Sequence, residues 1–194
     1  EEETNLRLHI VLDASGSMRF KGPDSPFSKY DYASTLCASL SYLTLRQGDA
    51  VGLSISGGGE PRLIPARASL AHLNVLLKEI ESVTPEGETA LSASVESAAH
   101  TSKKRSLYLL VSDLFDDQEK VMKAVQLLRY KKNEVWCTFW TRTKFRFHIP
   151  ALCGSSPWKT AGSLKWRRDL TARSIRRLCA NLWTVIAGLC ATMG

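Results

Sequence analysis

A chain of 194 residues with 44% hydrophobic and 23% charged content has the length and make-up of an ordinary globular domain with a real core. No apolar run approaches the ~18–20 residues of a membrane span, and no signal peptide opens the chain. The net charge of +7 suggests a nucleic-acid partner only until it is divided: residues 1–136 hold 16 Lys/Arg against 18 Asp/Glu, a net of −2, and residues 137–194 hold 10 against one, a net of +9.

Residues Leu6–Leu12 (L-R-L-H-I-V-L) end in an apolar run, as a central strand of a parallel sheet does. The turn D-A-S-G-S-M follows, then a polar loop, Arg19–Pro26, broken by Gly22, Pro23 and Pro26. From Phe27 to about Arg46 apolar residues recur at three- and four-residue spacing, which predicts an amphipathic helix stopped by Gln47-Gly48-Asp49. Ala50–Ser56 reads as a second strand, and Arg62–Ile64 as a short antiparallel edge. Ser69–Val83 reads as a helix capped by Ser69. After the loop Thr84–Thr89 a helix is expected from about Ala90 to Ser102, then a third apolar strand, Ser106–Ser112, ending at Asp113. Gln118–Lys131 predicts a helix and Glu134–Phe139 a further strand.

Strands alternating with helices imply an α/β fold with a doubly wound, mainly parallel sheet flanked by helices. Ligands of such sheets bind beyond the carboxyl ends of the strands, where Asp13 and Asp113 both stand. Three loops are expected to meet there: Asp13–Ser17, Glu88-Thr89 and Ser112-Asp113. Carboxylates and hydroxyls are all oxygen donors, which suits a hard cation, with octahedral Mg²⁺ as the natural candidate and Mn²⁺ as a substitute. Neutral hydroxyls offset little of the ion's charge, so an open coordination position favours a carboxylate from elsewhere. Alone, D-x-S-x-S is also what an ordinary strand-to-helix turn carries. Asp116 and Asp117 read as caps of the next helix, Lys103-Lys104-Arg105 as a solvated helix end. His9, His72, His100 and His148 lack ligand spacing and read as structural or exposed.

D-A-S-G-S-M followed by Thr89 and Asp113 resembles the metal-ion-dependent adhesion site of von Willebrand factor type A domains, which have a Rossmann-like fold. The resemblance implies that Ser15 and Ser17 ligate the metal, that Asp13 and Asp113 ligate it or hold its waters, and that Thr89 ligates in at least one state. A partner's Asp or Glu would supply the remaining ligand. More widely, E-E-E-T-N-L-R-L-H-I-V-L-D-A-S-G-S-M, K-Y-D-Y-A, L-R-Q-G-D-A-V-G-L and L-V-S-D-L-F-D-D resemble the bacterial domain-of-unknown-function family 58 over about residues 1–139. That resemblance implies an N-terminal segment preceding this sequence and a MoxR-type AAA+ ATPase as partner. The expected function is a non-enzymatic, Mg²⁺-dependent protein-binding module without a membrane span or a nucleic-acid partner.

The competing enzymatic reading is a haloacid-dehalogenase-type phosphatase with Asp13 as nucleophile and Mg²⁺ as cofactor. That chemistry wants a second acid two residues on, where this chain has Ser15, a poor general acid. No G-x-x-x-x-G-K-[ST] loop, H-E-x-x-H or Ser-His-Asp order is present.

The tail has a different character. Four of five cysteines (Cys137, Cys153, Cys179, Cys190) and four of five tryptophans lie in residues 137–194, and Asp169 is the one acid. With no C-x-x-C pair and an odd cysteine count, a reducing, cytoplasmic setting is the default. A basic tail can bind nucleic acid or anionic lipid, yet no sustained amphipathic pattern precedes Asp169, and a helix is expected only over Asp169–Gly188. A frameshift near Cys137 fits better. Phe139-Trp140-Thr141 is encoded TTY-TGG-ACN, and reading from the third base of the Phe codon gives Leu-Asp, as the resembled family tends to have there. The expected division is therefore a von Willebrand type A-like domain over 1–139, its last strand and helix lost, and an aberrant basic tail over 140–194.

Overall fold

The computed structural model of the chain describes residues 6–23, 25–57, 62–101, 105–114, 116–131, 133–140 and 145–148. All belong to the first of two units, Glu1–Ala151 and Leu152–Gly194. The helix expected over 169–188 and the cysteines at 153, 179 and 190 lie outside the described residues.

In chain order the elements are β1 (Arg7–Asp13), a 3-10 turn (Gly16–Arg19), α1 (Lys29–Arg46), β2 (Ala50–Ser56), β3 (Arg62–Arg67), α2 (Leu70–Ser82), α3 (Leu91–Thr101), β4 (Leu107–Ser112), α4 (Gln118–Tyr130), β5 (Glu134–Trp140) and β6 (Phe145–His148). The sheet order is β3-β2-β1-β4-β5-β6. β1 runs parallel to both β2 and β4, and β4 parallel to β5. β3 is antiparallel to β2, the edge expected at Arg62–Ile64 and carried on to Arg67. The chain winds from β1 out to β3, then returns to place β4 on β1's other side. The switch point therefore lies between β1 and β4, at the ends occupied by Asp13 and Asp113.

β6 pairs antiparallel with β5 at the opposite edge. Four residues separate Trp140 from Phe145. A parallel crossover needs a dozen or more, so only a reversal is sterically open there.

Apolar residues alternate between two cores because a strand's side chains alternate faces. Val11, Tyr108, Leu110 and Val135 pack with Leu91, Val95, Ala98 and Ala99 of α3 and Val121, Ala124, Val125 and Leu128 of α4. Ile10, Leu12, Leu109 and Val111 point the other way and are equally buried. His9 shares the Val11 face and stacks on Tyr108, ring centroids 5.0 Å apart, while His72 bonds the Val51 carbonyl at 3.1 Å. Both are structural histidines.

Two caps depart from the sequence expectation. Ser69 holds the N-cap position of α2 without making a side-chain cap. Asp117 caps α4 as expected, accepting from the Glu119 and Lys120 amides, whereas Asp116 accepts from the Ser92 amide, in the first turn of α3, at 3.0 Å.

Candidate metal centre

The parallel register that aligns Leu12 with Val111 brings Asp13 of β1 opposite Ser112 of β4. Both side chains point to the α3 face, one step beyond Val11 and Leu110. Ser112 Oγ donates to Asp13 Oδ2 at 2.5 Å and itself accepts from the Leu114 amide at 2.9 Å. Leu114 has φ +56°, a left-handed conformation uncommon for a non-glycine residue, so the chain reverses sharply just after Asp113. Asp13 Oδ1 accepts from the Ser15 amide at 2.9 Å, and Thr89 Oγ1 donates to Oδ2 at 3.2 Å.

From Ser15 the oxygens continue outward. Ser15 Oγ lies 3.1 Å from Ser17 Oγ, and Ser17 Oγ donates to Asp113 Oδ1 at 3.1 Å. The second Asp113 oxygen accepts from Lys29 Nζ at 2.7 Å. All five residues singled out in the sequence thus come together: Asp13, Ser15, Ser17, Thr89 and Asp113.

Backbone contacts hold the three loops in place. The Gly16 amide donates to Gly87 O at 3.0 Å and the Glu86 amide to Ala14 O at 2.9 Å, which seats the loop before Thr89 on the Asp13 loop. The Ala14 amide donates to Ser56 O at 2.6 Å, tying the same loop to β2. Gly57, at φ +140°, lies so close to Ala14 that a Cβ would overlap the Ala14 carbonyl.

Burial raises the Asp13 carboxyl pKa above the usual range; the Ser112 and Ser15 hydrogen bonds pull it back and Asp113 adds to the rise. Asp13 is fully buried. Its carboxylate therefore sits where a cation would offset the loss of solvent.

The donor set fits a small hard cation. Neighbouring ligands of an octahedral ion at ~2.1 Å stand about 3.0 Å apart. The 3.1 Å hydrogen-bonded separations Ser15–Ser17 and Ser17–Asp113 are close to the edge length of such an octahedron. Among the described residues no group of three or more His, Cys, Asp or Glu side chains converges, so hydroxyls must be part of any metal set. Sequence reasoning placed Ser112 in a loop at this site without giving it a role, and missed Lys29. Ser112 was legible as the last residue of a strand beside Asp113; Lys29, 84 residues from Asp113, had no local signal.

A central parallel sheet with an antiparallel edge strand and helices from alternating crossovers give an α/β fold of the von Willebrand factor type A kind. The chain belongs to the family described as protein of unknown function DUF58, which matches residues 1–136. No curated protein matches it. Among solved structures, the chain is similar to the conserved hypothetical protein BatB from Bacteroides thetaiotaomicron, at TM-score 0.55 and 17% identity over 86% of this chain and 77% of that one. It is also similar to an aerotolerance-related membrane protein from Bacteroides fragilis NCTC 9343 bearing multiple mutations to serines, at TM-score 0.53 and 19% identity over 86% and 78%. The manganese-loaded TRAP protein of Plasmodium vivax matches at TM-score 0.52 and 16% identity, over 69% of this chain and 56% of that protein. At such identities the likeness is one of fold.

Proposed function

We propose that the protein is a non-enzymatic, Mg²⁺-dependent protein-binding module in which Ser15, Ser17, Thr89, Asp13 and Asp113 hold the ion and a partner's Asp or Glu completes its coordination. The observation that carries this reading is the run of oxygens Ser15–Ser17–Asp113 at octahedral spacing, backed by the buried Asp13. When bound, the ion supplies a positive centre able to accept an external carboxylate. Ser112 and the Ser15 amide orient Asp13, while the Gly16–Gly87 and Glu86–Ala14 backbone bonds set Thr89 against it. Mn²⁺ takes the same donors as Mg²⁺, and the TRAP protein of like fold was solved manganese-loaded.

Asp13 has both carboxylate oxygens engaged and no solvent exposure, which speaks against a phosphatase nucleophile. The partner in this reading is a MoxR-type AAA+ ATPase, by family resemblance, and the setting is cytoplasmic. No helix among the described residues is long and apolar enough to cross a membrane.

The test is Mg²⁺-dependent capture of such an ATPase by the full chain, lost in Ser15→Ala and in Asp113→Ala. Capture that survives chelation of the metal, or phosphatase activity abolished by Asp13→Asn, overturns the reading.

The basic excess of the tail is, in this proposal, the product of a frameshift near Cys137 and carries no binding function; β6 at Phe145–His148, which pairs with β5, then lies beyond the residues 1–139 that the family resemblance covers. The family match ends at residue 136, one residue before the composition changes. Sequencing the gene decides it: an intact frame, with relatives sharing residues 140–194, would sink the idea.

A further inference from the structure

Lys29 opens α1, and its ammonium lies 2.7 Å from Asp113 Oδ2, with the Asp113 side chain wholly buried and the lysine side chain 12% exposed. The placement is built rather than incidental. Ser28 and Asp31 form a reciprocal capping box that fixes where α1 begins. The Lys29 amide donates to Phe20 O at 3.0 Å, tying the helix start to the loop that carries Ser15 and Ser17. The Phe20 ring then lies over the ammonium, 5.4 Å from its centroid.

Asp113 divides its oxygens: Oδ1 faces Ser17 within the metal donor set, and Oδ2 faces Lys29 outside it. The lysine can therefore keep its oxygen while the other turns to an ion. Charge then decides what the centre wants. Asp13, Asp113 and Lys29 sum formally to −1, and a divalent ion brings the total to +1. Without the lysine the loaded centre would be neutral. On the exposed rim the Arg19–Glu86 pair adds no net charge, and Glu88, beside Thr89, is exposed to solvent, which screens it.

Resting on the metal reading above, we infer that Lys29 is a built-in counter-charge that weakens the grip on Mg²⁺ alone and leaves the loaded centre positive, so that it selects an anionic ligand. The ligand class is a carboxylate, and Lys29 is the residue that makes the site depend on it. A unit positive charge one carboxylate away from a divalent ion lowers its affinity about tenfold even at the dielectric of water.

The experiment is calorimetric titration of Mg²⁺ into the full chain, with excess acetate or chloride at equal ionic strength, for wild type, Lys29→Met and Lys29→Gln. The glutamine retains a donor for Asp113 Oδ2 and serves if Lys29→Met does not fold without metal; circular dichroism reports folding. Expected is a severalfold tightening of wild-type Mg²⁺ binding by acetate. Both uncharged variants should bind Mg²⁺ alone about tenfold more tightly than wild type and gain less from acetate. Binding by the variants where wild type shows none also supports the inference. Wild-type binding that the variants equal or fall below overturns it and leaves the metal reading standing. No Mg²⁺ binding by any of the three removes the metal reading and the inference with it.

Discussion

Ser112→Ala removes one hydroxyl with two tasks. It donates to Asp13 Oδ2 at 2.5 Å and accepts from the Leu114 amide at 2.9 Å. A hydrogen bond to an ionised acceptor contributes about 1.5–3 kcal/mol, and a half-buried amide left unmatched costs about 1 kcal/mol more. The amide in question sets the turn at Leu114, whose φ of +56° needs local support. The sum is roughly 2–4 kcal/mol, which in a chain of this size lowers the melting temperature by roughly 5–15 °C. Ser112 also orients Asp13 from outside the proposed donor set, and losing such a partner weakens metal binding about 10-fold or more. Thermal unfolding with and without Mg²⁺, together with calorimetric titration of the ion, measures both effects. Ser112→Thr keeps the hydroxyl and should recover most of each. A Ser112→Ala protein that melts with wild type and binds Mg²⁺ as tightly would refute the claim that this hydroxyl organises the site.

Three further perturbations test the frame around it. Burial and the neighbouring Arg7 lower the His9 pKa to about 4, against about 6.5 in the unfolded chain. The unfolded state thus takes the proton first. The His9 contribution is complete above about pH 6.5 and declines as pH falls toward about 4, by about 3 kcal/mol in all. Denaturant midpoints across that window should show a steeper acid loss in wild type than in His9→Phe, which keeps the stack on Tyr108; parallel profiles would contradict it. Gly57→Ala forces a side chain into the Ala14 carbonyl at a left-handed backbone position, so a loss of about 2 kcal/mol or more is expected, with weaker Mg²⁺ binding because the Ser15 amide lies against the same point. Asp117→Ala removes the cap of α4 and should lower the melting temperature while leaving Mg²⁺ titrations unchanged, since its carboxylate bonds only helix amides and Lys120.

Much of the fold was legible in residue order. The strand read at Ala50–Ser56 is β2 to the residue, and the helix read at Gln118–Lys131 is α4 with one residue more. These segments are apolar runs or amphipathic repeats bounded by Gly, Asp or Asn, and the bounds are local chemistry. The sequence reading starts α1 two residues early, at Phe27, because the Ser28–Asp31 capping box rather than hydrophobic spacing decides where that helix begins. Asp116 was read as a cap of its own helix but serves the first turn of α3, which no local pattern encodes.

The candidate site divides along the same line. Asp13, Ser15, Ser17, Thr89 and Asp113 could be picked out because oxygen donors are unusual at the ends of apolar strands, and their order along the chain matched strand-end loops. That they converge at 3.1–3.2 Å spacings depends on parallel pairing of β1 with β4 and on the Glu86-Gly87 backbone seating one loop on another. The bond from Ser112 to Asp13 and the presence of Lys29 depend on the fold alone.

By itself, then, the order of residues determined which segments become strands and helices and which oxygens stand at the strand ends, because periodicity, breakers and local caps act over a few residues. Only the tertiary structure decided that Ser112 would hold Asp13 and that a lysine from α1 would neutralise Asp113. Those contacts join residues 99 and 84 positions apart, and such distances along the chain close only when the sheet has formed.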